Sequence, residues 1–183
     1  MKAWLRVLVL GLDGLYLELF QDKLSSYPGF RGIKPGNSVI AKNRAFKPVL
    51  PLTYPSWASI ETGARPAVHG LPDFFERSGR LLDASVLNMP RVYEAAGLAG
   101  KRVLVINPVP SHSLPVPHRI EVVAYDMFSP RLEARGEIAL RIARRLPREK
   151  HLVQGCDASV MAEAVKAYVD ALLSIKGLKY DLV

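Results

Sequence analysis

An α/β fold with a largely parallel sheet is what this chain predicts, and two observations carry that expectation. Short apolar runs rich in Val, Leu and Ile alternate along the chain with helical segments, the order that winds a parallel sheet. The runs also lack the in-out alternation of a half-exposed strand, as expected where both faces are covered.

Leu5 to Leu12 is the first such run and reads as a central strand buried on both faces. Gly11-Leu-Asp-Gly14 ends it and Leu15 to Leu24 continues as a helix, so Asp13 falls at the C-terminal end of the first strand. Open α/β sheets build their sites there, although an Asp before a helix also serves as a plain N-cap. Gly29 to Pro51 is loop-rich, with one short strand expected over Ser38 to Phe46.

The stretch Leu50 to Phe75, LPLTYPSWASIETGARPAVHGLPDFF, organises the rest. Its helix is expected over Pro55 to Thr62, with Pro in the first turn and Gly63 just past the end. Thr53 then sits at or just before a helix N-terminus, where backbone N–H groups and the dipole favour an anion. Two roles stay open for its hydroxyl: an N-cap, or a nucleophile aimed at a phosphate or sulfate held by those N–H groups.

Further on, Arg80 to Met89 is a connection and Pro90 to Ala96 a helix broken by Gly97 and Gly100. A second buried strand spans Arg102 to Ile106, and Asn107 to His118 holds four prolines and reads as irregular. Arg119 to Tyr125 is a strand, and Leu132 to Leu146 an Arg-rich amphipathic helix. Asp157 to Ser174 is another helix, with its apolar stripe at Val160, Ala164, Val165, Tyr168 and Leu172. Lys179 to Val183 begins a further strand in which the chain stops, so the chain is expected to be a fragment.

Composition narrows the partners. The 25 Lys and Arg outweigh 17 Asp and Glu, a formal +8, but no basic stretch is interleaved with aromatics and no RNP-like or zinc-finger pattern occurs. Nucleic acid is therefore not expected, and the charge reads as solvated surface that also attracts anionic substrates. A lone cysteine, Cys156, supports neither a disulfide framework nor a thiolate metal site. The basic, apolar start is short, interrupted by Asp13 and without a small-residue cleavage site. No segment is long enough to span a membrane, and the expected location is the cytoplasm.

Among the candidates for chemistry, His112 and His118 lie in the proline-rich loop and His69 precedes Gly70. For His69 a loop-orienting hydrogen bond stands ahead of a ligand or base role. Trp57 and Phe74 read as packing, and Arg141, Arg144, Arg145 and Arg148 as a wet helix face. Asp13 and Thr53 stand out as a pair, because a carboxylate and a hydroxyl can share one divalent cation, which makes the alkoxide accessible near neutral pH.

VLVLGLDG followed by PLTYPSWASIETGARPAVHG resembles the alkaline phosphatase superfamily, and within it the type I phosphodiesterase/nucleotide pyrophosphatase branch. The shared pattern is Thr-aromatic-Pro, then Thr62-Gly63, Pro66 and His69-Gly70, with the His sixteen positions after the Thr. Ala95 to Pro108 and Tyr125 to Pro130 are similar to later parts of that branch. The resemblance implies a three-layer α/β/α domain of alkaline phosphatase-like fold, of which residues 1–183 are an N-terminal portion, incomplete at the C-terminus. It implies Thr53 as nucleophile and metal ligand, Asp13 as metal ligand, and two divalent ions, zinc by analogy, the second site lying outside this chain. The substrate would be a small anionic phosphodiester, nucleotide pyrophosphate or similar ester, and a second polypeptide is one source of the missing half. Nucleotide pyrophosphatases place a phosphate-contacting Asn where Phe74 stands here beside Asp73, which makes these two the substrate-binding candidates. A Thr nucleophile argues against the sulfatase and phosphomutase branches. Rival readings are a non-catalytic or phosphate-ester-binding protein and a basic nucleic-acid binder.

Overall fold

Val103-Leu-Val-Ile106 and Ile120-Glu-Val-Val-Ala124 are too short for core helices and rich in β-branched residues. In the computed structural model they form the centre of a mixed sheet. The structure describes residues 7–9, 11, 52–111, 119–124, 132–146, 166–167, 169–170, 173 and 179–183. Strand β1 (Val103–Ile106) pairs in parallel with β2 (Ile120–Ala124), Val103 opposite Ile120 and Ile106 opposite Val123. On the other side of β1, Leu182 bridges Val103 in parallel and Val7 bridges Leu182 in parallel. Val7 and Leu182, which fall in the strands expected near the two chain ends, thus pair into this sheet through single bridges.

Successive residues of a strand face opposite sides, and the two sides bury different helices. Leu104 and Val123 point to one face, where they pack with Ala139, Ile142 and Ala143. Val103, Ile120, Val122 and Ala124 point to the other, against Tyr93 and Ala96. A third cluster, Tyr54, Ala58, Leu71 and Leu82 with Phe74 and Val109 against it, lies under the stretch that carries Thr53.

The helices, in order, are α1 (Thr53–Thr62), α2 (Pro66–His69), a 3-10 turn at Ala84–Val86, α3 (Val92–Leu98) and, after the strands, α4 (Glu137–Ala143). Helix α1 begins two residues ahead of Pro55 and stops at Gly63, whose φ of 68° and N–H bond to Ser59 O (2.9 Å) close it as expected. Helix α3 starts after Arg91 and runs through Gly97, ending before Gly100 at φ 80°.

Two expectations are corrected. Leu132 to Leu146 is not one helix: Glu133–Arg135 forms β3, antiparallel to β2 with Val122 opposite Arg135 and Ala124 opposite Glu133. Gly136 makes the break at φ 101°, a conformation only glycine adopts readily, and a side chain there would run into Glu121. The first strand is not covered on both faces in its described part. Val7, Leu8 and Val9 are 41%, 70% and 63% exposed; among the described residues Val7 bridges Leu182 alone.

The chain forms two compact units, Met1–Val9 with Leu52–Val183, and Leu10–Pro51. Among the described residues no helix is long and apolar enough to cross a membrane. The expected helix Leu15–Leu24 and strand Ser38–Phe46 lie outside the described residues. Of Asp157–Ser174, residues 166–167, 169–170 and 173 are described and helical.

Candidate active site

Leu52, extended at φ −85° and ψ 139°, is the N-cap of α1, which makes Thr53 the first helical residue. Leu52 has no side-chain cap to offer and none is made, so the hydroxyl of Thr53 is not used as the cap oxygen that one reading of the sequence allowed. The first intrahelical bond runs from Ser56 N–H to Leu52 O at 3.0 Å. Pro55 fits this first turn because its missing N–H would have had no partner there. The backbone amides that precede Ser56 are those of Thr53 and Tyr54. Thr53 is half-buried, beside the fully packed Tyr54 and Pro55.

The helix start is held from below. Tyr54 stacks on Phe74 with ring centroids 4.6 Å apart and planes at 34°, and aromatic pairs in this range add about 1 kcal/mol beyond area burial. His69, with no exposed surface, clips α1 to α2. Its Nδ1 accepts the Leu71 N–H at 3.2 Å, so Nε2 carries the proton and donates to Ser59 Oγ at 3.0 Å. Ser59 Oγ in turn donates to Pro55 O at 2.7 Å, within the first turn of α1. Burial pushes the imidazole pKa below the usual 6.5 and favours this neutral form. Gly70 follows at φ 87°, where a Cβ would stand 2.7 Å from Asn88 Nδ2 and 2.8 Å from Val86 O. His69-Gly70 is thus a packing and hydrogen-bonding unit, with both ring nitrogens engaged within the fold.

A second buried cluster was not singled out in the sequence. Glu61 occupies the same face of α1 as Tyr54 and Ala58, at helical spacing, and a carboxylate on a buried stripe is the signal that would have found it. Its partner Arg91, 1% exposed, lies at the start of α3. Arg91 donates from Nε and Nη2 to Glu94 Oε1 (3.1 and 2.6 Å) and from Nη1 to Pro110 O (3.2 Å). Nη1 also lies 3.9 Å from Glu61 Oε2. Burial raises the Glu61 pKa from 4.5 to about 7, against the opposing charge of Arg91. The cluster ties the far half of α1 to the loop that leaves β1, and Val109 of that loop packs beneath Tyr54.

Of the remaining predicted residues, Asp73 is exposed and its Oδ1 accepts the Phe74 N–H at 2.6 Å. Phe74 is half-buried against Tyr54, next in sequence to Thr53. Asp13, His112, His118, Arg148 and Cys156 lie outside the described residues. Arg141 pairs with Glu137 across one turn of α4 at 3.2 Å, and Arg144 and Arg145 are exposed, which is the wet face expected. Among the described residues no group of three or more His, Cys, Asp or Glu side chains could hold a metal ion. With His69 engaged, Thr53 is the only residue of the predicted ligand pair that the described structure contains, and the described donors do not by themselves make a metal site.

A family model for type I phosphodiesterase / nucleotide pyrophosphatase matches residues 7–149. Among solved structures, the chain is similar to phosphonoacetate hydrolase from Sinorhizobium meliloti 1021, determined in complex with phosphonoformate. The two share 23% identity at a TM-score of 0.44, over 72% of this chain and 33% of that one. No curated protein matches the chain.

Proposed function

The chain belongs to the type I phosphodiesterase/nucleotide pyrophosphatase family, and from that premise we propose that it contributes the nucleophile of a metal-dependent phosphoester hydrolase, with Thr53 as that nucleophile. The observation that carries this reading is the place of Thr53 at the first position of α1, with Leu52 rather than Thr53 as the cap. In the proposed reaction Thr53 Oγ forms a bond to phosphorus as the bond to the leaving alcohol breaks, and the alcohol departs with a proton. Water then cleaves the phosphothreonine and restores the hydroxyl. The Thr53 amide lies at the positive end of the helix dipole, which favours the phosphoryl oxygens.

Asp13 and Thr53 are the donors this reading assigns to divalent ions, zinc by resemblance. A bound divalent ion would lower the hydroxyl pKa. The substrate is a small phosphodiester or nucleotide pyrophosphate, with Phe74 and Asp73 as the contacts proposed beside it. The proposed setting is cytoplasmic, in a three-layer domain. The burial of α3 and α4 on opposite faces of β1 and β2 supports those layers.

The test is hydrolysis of bis(p-nitrophenyl) phosphate by the protein that carries this chain, supplied with zinc. Thr53→Ala is expected to reduce turnover at least ~1,000-fold, as loss of a nucleophile does, with an unchanged circular dichroism spectrum. Near-wild-type turnover by Thr53→Ala refutes the assignment. Saturable binding of the ester without turnover by the wild-type protein supports a phosphate-ester-binding protein instead.

A further inference from the structure

Three strand segments of the sheet start side by side: β1, β2 and the segment holding Leu182, all parallel. Each is preceded by cations, Lys101 and Arg102 before Val103, Arg119 before Ile120, and Lys179 before Tyr180. The parallel register therefore collects four positive charges at one edge of the sheet. A cavity of about 560 Å³ opens there, lined by these four residues with Tyr180 and Asp181. That volume is within the range of small-molecule sites.

The charges are only partly balanced. Asp181 is the one acid in the lining, and its Oδ2 accepts the Arg102 backbone N–H at 2.8 Å, which leaves the cavity three charges positive. Two of the cations are held by the fold. Arg119 Nη1 donates to Gly100 O at 3.2 Å. The Arg102 guanidinium lies over the Tyr180 ring, 5.2 Å from its centroid, and the Tyr180 hydroxyl donates to Glu121 Oε1 at 2.8 Å. Both guanidinium groups are thus oriented before any ligand arrives, which lowers the ordering cost of binding.

We propose that this cavity binds a small anion carrying two or more phosphate groups, at a site separate from Thr53. Arginine forks and lysine point charges suit phosphate oxygens, and a single negative charge would leave most of the positive charge unmatched. The cavity sits where β1 begins, whereas the loop that packs against α1 leaves β1 at its other end, ~13 Å away for four residues of strand. Four cations gathered at one open cavity favour a small polyphosphate over a polymer, which would need a longer basic track.

Isothermal titration of the intact chain with inorganic tripolyphosphate, at about 0.15 M salt, tests this. One saturable site with a dissociation constant below about 1 mM is expected, and the Arg119→Ala/Lys179→Ala double variant should bind at least about tenfold more weakly. Thr53→Ala should bind unchanged. On the wild-type chain, amide resonances of Gly100 to Arg102 and Lys179 to Asp181 should shift on titration, a readout that needs no variant to fold. Absence of saturable binding overturns the proposal, as do shifts confined to other residues. Loss of binding in Thr53→Ala would move the anion to the nucleophile site. Tighter, steeply salt-dependent binding of a single-stranded oligonucleotide would make the edge a nucleic-acid surface and also overturn it.

Discussion

Replacing Glu61 with Gln keeps the shape of a buried side chain and removes its charge. The Glu61 side chain is 13% exposed, and burial raises its pKa from 4.5 to about 7. Arg91, 3.9 Å away, pulls the other way, while Glu94 reinforces the rise. The folded chain therefore keeps a proton that the unfolded chain releases between those two values. The stability tied to that proton is complete below about pH 4.5 and is lost as the pH rises through about 7. At about 1.4 kcal/mol per pH unit the span amounts to about 3 kcal/mol, in order of magnitude. The Gln variant suffers no such loss. Scanning calorimetry of both proteins from about pH 4.5 to about pH 8 should show a Tm difference that moves in favour of E61Q as the pH rises. For a chain of this length the movement is roughly 6–12 °C. A difference that stays constant with pH refutes the reasoning, and so does one that moves in favour of the wild type.

His69→Ala removes the donor to Ser59 and the acceptor for the Leu71 N–H, and leaves a cavity; a loss of about 2–4 kcal/mol is expected from urea midpoints, and a loss below about 0.5 kcal/mol would show the clip to be idle. The depressed His69 pKa adds a pH signature: the neutral ring's contribution is present above pH 6.5 and is lost as pH falls through the lower folded value. Gly136→Ala, at φ 101° and against Glu121, should cost more than about 2 kcal/mol. Gly79→Ala, at φ 83° in open space, should cost about 1 kcal/mol, and equal costs would mean that Glu121 yields freely.

Helix α1 was legible because its boundaries are written locally, in Pro55 and Gly63, and its hydrogen bonds join residues four apart. The strands at Val103 and Ile120 were legible from β-branched composition alone. Strand β3 was not, since Glu133-Ala-Arg135 has no strand composition and is recruited by backbone pairing with Val122 to Ala124. A helical reading across Gly136 was the natural local choice, and it fails because Gly136 stands at φ 101° and the residues before it pair with β2. Within the candidate site, Thr53 and His69 were readable from their motif. The Glu61–Arg91 cluster was not, because its members are thirty residues apart and nothing local to Glu61 names Arg91 as its partner.

The two central strands, the end of α1 at Gly63 and the family pattern were thus present in the residues themselves, since each rests on neighbours within a few positions. The neutral, doubly bonded state of His69, the raised pKa of Glu61 and the gathering of Lys101, Arg102, Arg119 and Lys179 around one cavity came only from tertiary structure. Desolvation and Coulomb interaction depend on distance through space, and the chain alone does not specify that distance until the sheet has set its register.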